Sequence, residues 1–97
     1  MTVDEMKRAF KAEISEYGHF PRIEKPRSTR PDLHAFQLLD ELVPGTRDIV
    51  SSTGHDEIWL SIEPALLAEA ITAGQVQELV RCGVRYDADH DALCMFV

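Results

Sequence analysis

Apolar residues in this chain change their spacing from helical to alternating twice, in the same order, and that limits the folds open to it. From Val3, the positions Met6, Phe10, Ile14 and Tyr17 recur every three or four residues, predicting one face of a helix that stops at Gly18. Leu33, Phe36, Leu39 and Val43, reinforced by Leu38 and Leu42, predict a second helix from about Arg30 to Val43, ended by Pro44 and Gly45. Alternation follows: a strand over residues 48–52, a turn from Thr53 to Asp56, and a returning strand from Glu57 to Ile62. On that strand Ile58, Leu60 and Ile62 face one way, and Glu57, Trp59 and Ser61 the other.

The order then repeats. Pro64 sits well in the first turn of a third helix, Pro64 to Ile71, with apolar Leu66, Leu67 and Ile71. A short fourth helix opens at Thr72, buries Val76, Leu79 and Val80, and ends before Gly83. Val84 to Asp87 and Ala92 to Val97 read as strands around a turn from Ala88 to Asp91. The last strand is almost continuous hydrophobe, which predicts an inner position or one beneath a helix. The halves share no clear sequence identity, so the repetition is of pattern and not of sequence.

Thr2 with Glu5, Thr29 with Asp32, and Thr72 with Gln75 have the spacing of capping boxes, which satisfy orphan amides at helix starts. The sum predicts an α+β fold: a small antiparallel sheet of about four strands, in two hairpins, packed against three to four helices. Ninety-seven residues correspond to a single domain, residues 1–97, with a thin stability margin. Between the first two helices, residues 19–31 read as a linker. Pro21, Pro26 and Pro31 argue against a regular element, and Arg22, Lys25, Arg27 and Arg30 form a basic patch. A connection this long suggests mobility or binding.

Charge is sorted unevenly. Residues 1–30 hold seven Lys/Arg and five Asp/Glu, whereas residues 31–97 hold three and twelve, within a total of −7. A body this anionic repels phosphate and anionic lipid and favours a positively charged surface. Acids near the N-terminus and the lack of a following apolar run argue against a secretory signal, and nothing approaches the ~20 apolar residues of a membrane span. Cys82 and Cys94 are too few for a disulfide framework and read as buried thiols in a reducing cytoplasm.

Motifs that would carry chemistry are weak. Asp87, Asp89 and Asp91 alternate like the opening of a calcium loop, but Ala92 stands where that loop needs glycine, and a hairpin turn uses Asp for its own backbone bonds. His55, His90, Cys82 and Cys94 would make a zinc site only if the two hairpin turns met, and their spacing fits no zinc pattern. No nucleophile elbow or phosphate-binding glycine loop is present, so neither an enzyme nor a cofactor is expected. Residues 64–83, two short helices joined near Gly74, resemble a helix-turn-helix; its second helix would carry Gln75, Gln77, Glu78 and Arg81 to DNA, a poor phosphate clamp.

Trp59 lies opposite the core-facing residues of its strand, so it is either exposed as a binding anchor or covered by residues 19–31. The expected function is a small non-enzymatic binding protein, a regulator or inhibitor. It would dock Asp56, Glu57, Trp59, Asp87, Asp89 and Asp91 on a protein partner with a basic, possibly nucleic-acid-binding, surface. Direct nucleic-acid and membrane contact are not expected. Such a surface suits a phage or mobile-element protein that blocks a defence complex, in the manner of an anti-CRISPR. The alternatives are a helix-turn-helix-like DNA regulator and a metal-binding protein or enzyme using the aspartate turn.

Overall fold

The computed structural model describes all 97 residues. Helix α1 (Val3–Ala12) starts where the Thr2 hydroxyl accepts the Glu5 amide and the Glu5 carboxylate accepts the Thr2 amide. Both orphan donors at its entry are thereby satisfied. The stripe expected to reach Tyr17 breaks after Ala12 into a 3-10 turn, Ile14–Glu16. Helix α4 causes the break: Gly18, at φ +75°, donates its amide to the Val80 carbonyl (3.1 Å), and Glu16 accepts from Arg81 (2.6 Å). Ile14 is consequently 62% exposed rather than in the core.

Residues 19–31 are tied down. Phe20–Arg22 form a second 3-10 turn despite Pro21, and Ile23 is buried. His34, 2% exposed, holds the segment's far end: the Arg27 amide donates to its Nδ1 (3.0 Å), and its Nε2 lies 3.2 Å from Glu78 Oε2. An accepting Nδ1 places the ring proton on Nε2, donating to Glu78. Phe20 packs edge-on to the same imidazole at 6.0 Å.

Helix α2 (Pro31–Leu42) begins without the expected Thr29–Asp32 box: Arg30 is its N-cap, and Asp32 accepts instead from the Leu33 amide. Pro31 at the first helical position has no amide to satisfy, which lessens the need for a cap. The helix buries His34, Ala35, Leu38 and Leu39, turning Leu33 outward. Helices α3 (Pro64–Ala70) and α4 (Ala73–Arg81) follow as expected, except that Leu66 is exposed; Thr72 and Gln75 close the box that opens α4.

The strands are β1 (Val50–Gly54), β2 (Glu57–Leu60), β3 (Val84–Asp87) and β4 (Ala92–Phe96), ordered β1-β2-β4-β3 and antiparallel throughout. The first turn is tighter than expected, because Gly54 pairs directly with Glu57 and leaves only His55 and Asp56 in the loop. A bulge separates Val50 from Ser52. The hydrophobic last strand is an inner one, between β2 and β3, with Leu93, Cys94 and Met95 buried. One cluster of eighteen buried residues draws on all four helices and on β2, β3 and β4.

Deleting residues 93–97 removes that inner strand and leaves β2 and β3 without a common neighbour. Loss of the cooperative thermal transition is expected by circular dichroism, whereas deleting Val97 alone, which is 78% exposed, should preserve it.

Candidate functional site

Alternation along the strands sorts side chains to two faces. Ile58, Leu60, Val84, Tyr86, Leu93 and Met95 join the cluster shared with the helices. Glu57, Trp59, Arg85, Asp87, Cys94 and Phe96 take the other face, where hydrogen bonds and ring contacts run among strand and hairpin-turn residues.

Two side-chain groups cover that face. Trp59 Nε1 donates to Asp87 Oδ2 (2.9 Å), His90 stacks on the indole at 4.4 Å, and His90 Nδ1 lies 2.7 Å from the same carboxylate oxygen. Asp87 Oδ1 accepts the Asp89 amide (3.0 Å). The Trp59 hydrogen bond, followed by those from His90 and the Asp89 amide, holds the Asp87 carboxyl below its ordinary range against the opposing effect of burial. Across β1, the indole lies so close to Gly54 that a Cβ there would sit 3.1 Å from the ring.

In the second group, Arg85 Nη2 donates to Glu57 Oε1 (2.5 Å), and the guanidinium lies over the Phe96 ring at 4.1 Å. Arg85 Nε is buried without an acceptor. Cys94 sits between these groups, fully buried, and burial pushes its thiol up; burial and the nearby Glu78 raise Cys82 to about 12. Neither thiol offers a thiolate at neutral pH.

The six expected binding residues divide. Glu57, Trp59 and Asp87 share the open face, but Glu57 is neutralised by Arg85 and Asp87 faces His90. Asp56 and Asp89 are exposed, with no ion pair, in turns at opposite ends of the sheet, because β2 and β4 run antiparallel with Glu57 beside Phe96. The hairpin turns therefore do not meet, and the acids form no single patch. Asp91 lies towards the helices: Tyr86 donates its hydroxyl to it and Lys7 Nζ is 3.3 Å away, contacts that hold its carboxyl below the ordinary range. Trp59 is half-buried, covered by Gly54, Asp87 and His90 of its own sheet and hairpin turn. No three His, Cys, Asp or Glu side chains converge on a point where a metal ion would sit.

Of the basic patch, Arg22 pairs with Glu16 and Arg27 with Glu41 (2.5 Å), while Lys25 and Arg30 make no ion pair. The helix-turn-helix reading meets an obstacle in α4, which packs against α1, α2 and β3. Its would-be reading residues are engaged within the chain: Gln75 caps Thr72, Gln77 donates to Glu13, Glu78 meets His34 and Arg81 binds Glu16.

Sequence reasoning missed Arg85, His90 and Phe96 on this face. Alternation on the last two strands places Arg85 and Phe96 opposite the core side, and that signal was present. Nothing in the sequence foretells that His90 folds back on Trp59. Comparison with protein-family models, with curated proteins and with solved structures finds no match to this chain.

Trp59 is the only tryptophan, so its fluorescence reports this group directly. A carboxyl held below its unfolded value stabilises the fold fully above an unfolded pKa of about 3.9, and that contribution fades as pH falls through the folded value. Acid titration of the native protein should change Trp59 emission below about pH 4. Asp87→Asn should remove that step; an identical titration in the variant would refute the assignment.

Proposed function

We propose that this chain is a small acidic binding module that meets a basic protein surface with the open face of its sheet. The observation that carries the reading is the pair of aromatic residues on that face, the half-buried Trp59 and the 52% exposed Phe96, set between unpaired carboxylates at both ends, Asp56 and Asp89. Aromatic residues and arginine at the centre of a patch hold a partner, and surrounding charge speeds encounter. The charge is in surplus: five Lys/Arg side chains pair with four carboxylates, leaving thirteen of seventeen Asp/Glu without a Lys/Arg partner.

A partner whose basic surface normally holds nucleic acid would be inhibited by occupation of that surface. This suits a regulator or inhibitor, including a phage or mobile-element protein acting against a defence complex in the manner of an anti-CRISPR. Two buried free thiols agree with action in a reducing cytoplasm. No helix is long and apolar enough to cross a membrane.

The test is affinity capture from the native host with the wild-type chain, Asp56→Lys/Asp89→Lys and Phe96→Ser, followed by affinity measurement on the captured protein. The double reversal should slow association and flatten its salt dependence, and the Phe96 variant should weaken affinity about tenfold. Equal capture by all three, with folding intact by circular dichroism, would refute the reading. So would tight binding of the wild type to bare duplex DNA at physiological ionic strength.

A further inference from the structure

A second surface lies between α1 and the outer edge of β3. This strand ends the sheet, and no backbone hydrogen bond made outside helices and strands involves residues 84–87. Along an antiparallel edge, alternate residues point their amide and carbonyl away from the sheet, so this edge offers unpaired donors and acceptors. Facing it, Lys7, Phe10, Lys11, Ile14 and Tyr17 share one side of α1 and its 3-10 turn. With Val80, Val84 and Tyr86 they bound an apolar groove of about 320 Å³.

Nothing in the chain fills this groove, and the exposed Ile14 stands at it. Its flank is cationic on a chain of net charge −7. Lys11 makes no ion pair, and Lys7, 5.3 Å from the centre of the Tyr86 ring, already holds the exposed Asp91 carboxylate at 3.3 Å. A surface ion pair of this kind contributes little and exchanges readily. The position is therefore one where an incoming acid replaces a resident one.

We propose that this groove receives an extended acidic segment of a partner protein, which adds as a strand to the outer edge of β3. Its alternate apolar side chains would lie against Phe10, Ile14 and Tyr17, with a flanking carboxylate on Lys7 or Lys11. Strand addition draws affinity from main-chain bonds and specificity from pockets for every second side chain, and an edge strand beside a helix supplies both. The occupant is acidic, opposite in charge to the partner of the open sheet face, so the two surfaces select different ligands and either proposal survives failure of the other.

The test pans a phage-displayed library of random linear heptapeptides against the wild-type chain and against Ile14→Glu. Ile14 is exposed, so that variant should fold. Enriched peptides should alternate apolar residues, carry Asp or Glu and lack proline, and they should bind Ile14→Glu and Lys11→Glu at least about tenfold more weakly. On nitrogen-15-labelled protein they should shift the amides of residues 84–87 and slow their exchange with solvent. Enrichment no greater than on Ile14→Glu would overturn the proposal. So would peptides with helical three-and-four spacing, or shifts confined to Trp59 and Phe96 on the other face.

Discussion

Antiparallel pairing of β2 with β4 joins the two halves of this chain, and the remaining architecture follows from it. Each half supplies two helices and a hairpin, and a lone hairpin has little stability in water. Placing the hairpins edge to edge makes β2 and β4 inner strands and leaves β1 and β3 at the margins. The same register sets Trp59 beside Cys94 and Glu57 beside Phe96. It also sends the two hairpin turns to opposite ends of the sheet.

The helices meet only one side of that sheet, so the opposite side is stabilised by its own side chains. Trp59, Asp87 and His90 form one group, and Glu57, Arg85 and Phe96 the other; together they leave Cys94 without solvent contact. Charged groups here serve packing within the chain. Glu16 does the same among the helices, where it accepts from Arg81 and Arg22 and ties the end of α1 to α4. The Arg81 hydrogen bond, ahead of that from Arg22, holds the Glu16 carboxyl below its usual range. Other carboxylates, Asp56 and Asp89 among them, are exposed and make no ion pair.

Most elements were legible because their signals are local. Spacing placed all four helices, the Thr2–Glu5 and Thr72–Gln75 boxes marked two of their starts, and alternation located both hairpins. The Thr29–Asp32 box failed locally, at Pro31 and Asp32, but two larger departures share a different cause, a contact distant in sequence that overrode a local preference. The apolar stripe of α1 ended early because α4 drew in Gly18 and Glu16. A proline-containing stretch that reads as a linker became ordered because His34, whose other ring nitrogen meets Glu78, accepted the Arg27 amide. The excess of acid was legible in composition, but the arrangement of the carboxylates was not. Adjacency of Asp87, Asp89 and Asp91 in sequence said nothing of Trp59, His90 or Lys7.

What the sequence determined by itself is the inventory: four helices, two hairpins, a hydrophobic final strand and an excess of acid, each written in short-range periodicity or in counts. Only the tertiary structure decided which carboxylates are neutralised, which face of the sheet stays open, and that an apolar groove with two lysines runs along β3. These depend on how the hairpins pair and where the helices dock. Such contacts join residues many positions apart, and no local pattern encodes them.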